Sequence, residues 1–123
     1  MTATTQRETR FGCERRASAG VTVFEVTGDL DLSTAPELCG RVEQTFREGG
    51  ARVVIDLSRI AFCDSSGLRA LFGAAQEARV HGVPLRIVAP RSASAARALE
   101  IAGGIEFLPL AAGAREAVAE LTR

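Results

Sequence analysis

The sequence predicts a single α/β domain built on a mostly parallel sheet, and three observations carry that expectation. Short β-branched runs alternate with longer stretches of helical period, the order in which strands and crossover helices follow one another. The run Val53-Val54-Ile55-Asp56-Leu57 is nearly continuously apolar, as a strand covered on both faces is. A chain of 123 residues, 46% of them hydrophobic, is long enough for one core and too short for two.

Residues 1–9 are polar and without period, which predicts a flexible tail ahead of a domain spanning residues 10–123. Residues 11–16 and 21–26, joined by a turn at Gly20, predict a hairpin that places an antiparallel strand at the N-terminal edge of the sheet. Thr34-Ala35-Pro36-Glu37 has the Thr-x-x-Glu form of a capping box with a proline in the first turn. Leu38, Val42 and Phe46 continue that helix at spacings of four, and Gly49-Gly50 stops it. Strand 53–57 leads through an expected loop, 58–64, to a helix over about 65–80 that carries Leu68, Leu71, Phe72 and Ala75 on one face and ends at His81-Gly82. Residues 85–88 form the next strand. Ser92 or Ser94 caps a third helix with Ala95, Leu99 and Ala102 on one side and Gly103-Gly104 as its stop. A last short strand is expected over 105–108. The final helix, about 113–121, presents Ala114, Val118 and Leu121 to the sheet. The order is therefore β-β-α-β-α-β-α-β-α, with about four helices. Sheets of this kind meet ligands and partners beyond the carboxyl ends of their strands, here at 28–33 and 58–66.

Composition removes several function classes. Fifteen basic residues balance fifteen acidic ones, so the excess positive charge of a phosphate-binding nucleic-acid protein is absent. All fifteen are Arg; without Lys there is neither a Schiff-base amine nor a Walker-type phosphate lysine. The single His81 cannot build a multi-histidine metal site, and the lack of Trp and Tyr leaves little surface for stacking bases. Cys13, Cys39 and Cys63 are odd in number and widely spaced, which suggests no disulfide framework and no zinc site, and a reducing cytoplasm as the compartment. No secretory h-region and no run of about 20 apolar residues is present, so no membrane insertion is expected. Neither a cofactor nor a metal is implied.

Phe62-Cys63-Asp64-Ser65-Ser66-Gly67-Leu68 places two hydroxyls and a carboxylate where a loop becomes a helix. Asp64 or Ser65 can accept hydrogen bonds from the free N–H groups of the first turn. Gly67 costs a helix stability, yet it sits in that turn, where it clears bulk beside the hydroxyls so that a partner's backbone can approach. Together with the strand 21–26, the turn Gly28-Asp29-Leu30-Asp31, the Thr34 helix and the run 53–58, this block resembles the STAS domain of bacterial anti-sigma factor antagonists, over nearly the whole chain. The resemblance implies that Ser65 is a phospho-acceptor, modified by an anti-sigma factor with serine kinase activity and restored by a phosphoserine phosphatase. It places Asp31 close to the acceptor, with Asp64, Ser66, Gly67 and Thr34 around it. It also implies partner switching: the unphosphorylated protein holds the anti-sigma factor and frees a sigma factor for transcription, so the chain is a regulator and not an enzyme.

Charge explains how such a switch is read. A phosphoryl group brings about −1.5 to −2 charge to a helix N-terminus, where the dipole favours an anion, so folding survives. Asp31 and Asp64 repel it, and a surface that fits a partner when neutral is mismatched afterwards. Other assignments are weaker. Asp56 invites comparison with receiver domains, but these also need an acidic pair after the first strand and a lysine late in the chain; the absence of Lys argues against this, and a loop-ordering hydrogen bond is the preferred role. As the base of a serine hydrolase, His81 lies about four helical turns from Ser65. Cys63 reads as a small buried residue, Leu68, Leu71, Leu99 and Phe107 read as core, and Arg59 and Arg69 flank the site as solvated charges or partner contacts. Within the same family, the alternative is an accessory subunit of a membrane transporter or of a larger signalling complex.

Overall fold

The computed structural model describes residues 10–49 and 52–123; the expected tail, 1–9, and Gly50 of the expected helix stop lie outside them. Strands β1 (Gly12–Ser18), β2 (Val21–Leu30), β3 (Val53–Cys63), β4 (Leu85–Val88) and β5 (Leu110–Ala111) lie in chain order across one sheet. β1 is antiparallel to β2, and every other neighbouring pair is parallel. The connections are α1 (Ala35–Glu48), α2 (Ser65–His81), α3 (Ala93–Ile101) and a single turn, α4 (Gly104–Phe107); α5 (Ala114–Leu121) closes the chain. The predicted class and the antiparallel edge are both present. The hairpin turns through Ala19 and Gly20, both at positive φ (51° and 80°), a two-residue turn whose twist matches that of its strands.

The apolar run of β3 is continuous because the sheet is covered on both sides. Val53, Ile55 and Leu57 face a core shared with Phe24 of β2, Leu38, Val42 and Phe46 of α1, and Leu71 of α2. Val54 faces the other way, into a second cluster with Val21, Val23, Val88 and the α5 residues Ala117 and Leu121. Leu99 of α3 is buried in the first cluster. Asp56 is buried too, and its Oδ1 accepts the Ser58 N–H at 3.0 Å, the loop-ordering bond expected of it.

Four expectations are corrected. Residues 28–30 and 58–63 are not loops: β2 runs to Leu30 and β3 to Cys63, and the parallel ladder continues through Thr27↔Arg59, Gly28↔Ile60, Asp29↔Phe62 and Leu30↔Cys63. Two register shifts each admit an extra residue on β3, which breaks the alternation of buried and exposed positions while the strand goes on. The strand expected over 105–108 is the turn α4, with Phe107 N–H bonded to the Gly103 carbonyl, and the true last strand is Leu110–Ala111, paired with Ile87 and Val88. Phe107 is 63% exposed and Ala102 is exposed, so neither belongs to the core. Finally, the Thr34-x-x-Glu37 capping box does not form; the Thr34 hydroxyl and the Glu37 carboxylate are both engaged elsewhere.

Candidate functional site

The ladder positions the site. Leu30 and Cys63 end adjacent parallel strands as a register pair, and the Asp64 N–H donates back to the Leu30 carbonyl at 3.2 Å. The next residues, Asp31 and Asp64, therefore leave the same sheet edge on strands about 4.8 Å apart. Asp64 then caps α2: its backbone is extended and its Oδ1 accepts the Gly67 N–H at 3.0 Å. Of the two residues able to cap, Asp64 does so. Ser65, one position on, is exposed, and among the described residues its hydroxyl has no hydrogen-bond partner. Asp64→Ala is expected to lose the cap and about 1 kcal/mol of stability in urea denaturation, since alanine offers no acceptor.

Gly67 is buried, and the backbone that approaches it belongs to this chain. A Cβ there would overlap the Leu30 carbonyl oxygen and come within 2.9 Å of Cys63 Sγ. The expected approach of a partner's backbone at Gly67 is thus replaced by an internal contact that seats α2 against the end of β2. Ser66 is half-buried on the side of α2 that faces α1.

Asp31 and Thr34 build the opposite rim. The Thr34 hydroxyl donates to the Asp29 carbonyl at 2.8 Å and accepts the Asp31 N–H at 2.9 Å, so it stitches the turn into α1 in place of capping. Asp31 Oδ1 accepts from the Ser33 hydroxyl at 2.8 Å, the Ser33 N–H at 3.0 Å and the Thr34 N–H at 3.2 Å. The Ser33 hydroxyl, followed by these backbone donors, holds the Asp31 carboxyl below the usual carboxylate range. Asp29 behaves oppositely: burial, then the charge of Asp31, push its carboxyl up, and its buried Oδ1 has no partner among the described residues. A raised folded pKa penalises the charged form above that pKa and releases the penalty as pH falls below the unfolded value. Asp29→Asn is therefore expected to raise the urea midpoint at neutral pH, with the gain fading toward about pH 3. The Asp31 contribution has the other sign: it is complete above the unfolded carboxylate pKa and fades as pH falls through its lower folded value.

Two apolar side chains near the strand ends, to which the sequence assigns no role of their own, are exposed. Leu32, 75% exposed, follows Asp31, and Phe62, 46% exposed, pairs with Asp29 on the extended β3. Both fall in segments expected to be loops, and only the ladder brings the strand ends that carry them together as exposed apolar surface. Arg59 and Arg69 are exposed and make no ion pair among the described residues. Ser92 caps α3 and its hydroxyl donates to the Ala61 carbonyl at 3.1 Å, which fastens the tip of β3 from the other side.

Among the described residues, the serine turn has no histidine base beside it, and its cysteine is buried. His81 closes α2 sixteen residues from Ser65, about 24 Å by helix rise, and lies 3.5 Å from Glu77. Cys63 is buried, and desolvation followed by the charge of Asp64 pushes its thiol up to about 11, which disfavours the reactive thiolate. Among the described residues no three His, Cys, Asp or Glu side chains could hold a metal ion, and no helix is long and apolar enough to cross a membrane.

The sequence pattern of the STAS domain matches residues 13–117, which takes in both strand ends and the whole Asp64 to Gly67 turn. The chain belongs to the STAS domain family. Solved STAS-like folds superpose on it closely. An anti-sigma factor antagonist from Mycobacterium paratuberculosis is 23% identical with a TM-score of 0.79, over 94% of this chain and 97% of that one. The Bacillus cell fate determinant SpoIIAA in its phosphorylated form is 19% identical with a TM-score of 0.66, over 93% and 100%. A sulfate transporter family protein from Wolinella succinogenes is 22% identical with a TM-score of 0.71, over 87% and 88%. The fold is thus shared by proteins of different roles, and it does not by itself set what this STAS domain does.

Proposed function

We propose that this STAS domain is a cytoplasmic, non-catalytic anti-sigma factor antagonist switched by phosphorylation at Ser65. Unphosphorylated, it binds an anti-sigma factor that is itself a serine kinase, and so frees a sigma factor. The kinase transfers the γ-phosphoryl group of ATP to Ser65 Oγ, with loss of the hydroxyl proton and departure of ADP; a phosphatase hydrolyses the ester and restores binding. The observation that carries this reading is the division of labour at the start of α2. Asp64 satisfies the helix end, which leaves the Ser65 hydroxyl exposed and uncommitted. Likeness in fold to an anti-sigma factor antagonist adds support.

Phosphate at Ser65 sits at the positive end of a seventeen-residue helix, so the fold tolerates it. The neighbouring Asp64 and the hydrogen-bonded, ionised Asp31 turn the rim strongly acidic once it is added. Incubation with candidate anti-sigma kinases and ATP, followed by mass-spectrometric mapping, tests the assignment: phosphate is expected on Ser65, and phosphate found only outside residues 64–67 overturns it. The likeness to the Wolinella protein supports one rival, an accessory domain of a transporter. Stable co-purification with a permease, with no phosphate transfer, would select that rival.

A further inference from the structure

Helices α1 and α2 leave between them an open, mostly apolar groove of about 450 Å³ that begins beside the serine turn. Its wall on α1 extends from Ala35 to Phe46, twelve residues or about 16 Å of helix, room for an incoming helix to seat side chains at i, i+4 and i+7. The two ends differ in charge. Arg69 stands near the serine end with no ion pair among the described residues. Glu43 and Glu77 lie toward the far end, where, among the described residues, Glu43 has no ion pair and Glu77 pairs with His81. Arg69 and Glu77 are eight residues apart on α2, about 12 Å.

Resting on the proposed function, we infer that this groove receives an amphipathic helix of the anti-sigma kinase. Its apolar stripe fills the groove, a basic residue meets Glu43 and Glu77, and an acidic residue about two turns away meets Arg69. The same geometry supplies a release step. Ser65 and Arg69 are i and i+4 on α2, the spacing at which an anion and a cation pair on a helix surface. A phosphate on Ser65 captures Arg69 and removes the cation that holds the partner's carboxylate.

Gly73 lines the groove and nothing lies within 4 Å of the Cβ it lacks, so a side chain there fills the groove without strain. Gly40 is equally open but lies outside the groove. Binding of the cognate anti-sigma kinase to wild type, Gly73→Phe, Glu43→Arg and Gly40→Phe is measured by calorimetry, with Ser65 phosphorylation and thermal melting followed in parallel. Gly73→Phe and Glu43→Arg are expected to weaken the complex by about tenfold or more with no loss of melting temperature, and Gly40→Phe to bind as wild type. A kinase that phosphorylates Ser65 and binds Gly73→Phe and Glu43→Arg as tightly as wild type overturns the groove assignment and leaves the function standing. Absence of any kinase that modifies Ser65 removes both. A dimer of this chain that Gly73→Phe dissolves would assign the groove to a second copy and overturn the proposal.

Discussion

Gly67→Ala is expected to destabilise the protein by about 1–3 kcal/mol, although the same change in an open helix position stabilises by about 1 kcal/mol. The two effects oppose each other, and geometry decides between them. The added methyl would overlap the Leu30 carbonyl and reach 2.9 Å from both Leu30 Cγ and Cys63 Sγ. The Leu30 carbonyl belongs to the β2–β3 ladder and already accepts the Asp64 N–H, so it cannot withdraw without loosening the start of α2. Gly73→Ala, on the same helix and with nothing within 4 Å, is the control and is expected to gain up to about 1 kcal/mol. Urea denaturation of the pair measures both signs. A neutral or stabilised Gly67→Ala would show that the turn relaxes freely and that the close approach positions nothing.

Ser65→Asp is expected to separate folding from recognition. Because Ser65 is exposed and bonded to nothing among the described residues, Ser65→Ala and Ser65→Asp each shift stability by less than about 0.5 kcal/mol, and the aspartate is favoured by the helix dipole. Binding to the kinase partner responds differently. Ser65→Ala keeps wild-type affinity and accepts no phosphate, whereas Ser65→Asp weakens the complex by about tenfold or more, because it adds a charge next to Asp64 and the ionised Asp31. Calorimetric titration of the three proteins into the kinase measures this. Equal affinity of Ser65→Asp and wild type would remove the charge-read mechanism.

Periodicity was a sound guide wherever an element was regular. The helices at 35–48 and 65–81 and the strand at 85–88 follow from apolar spacing and from stops such as His81-Gly82. It failed where the backbone departs from a simple period. Two extra residues on β3 scramble the inside-outside pattern after Leu57, so a strand resembled a loop. Around Thr34 the sequence carried the letters of a capping box, but the Thr34 oxygen accepts the Asp31 N–H in place of the Glu37 N–H, and the Glu37 carboxylate pairs with Arg41. After Gly103 a short apolar run read as a strand, but it forms a helical turn, and pairing with Ile87 and Val88 went to Leu110 and Ala111 instead.

By itself, the sequence determined the α/β class with its antiparallel edge, the STAS resemblance, and the serine turn at the start of the second long helix, because apolar periodicity, turn residues and a compact motif are all local signals. Only the tertiary structure decided what surrounds that serine. The Leu30–Cys63 pairing brings the turns that begin at Asp31 and Asp64 to one end of the sheet, turns Gly67 from an opening for a partner into an internal contact, and leaves Leu32 and Phe62 exposed, while α1 and α2 pack to leave a groove. These relations join residues more than thirty positions apart in the chain, and they are created by strand register and close packing, which no local pattern records.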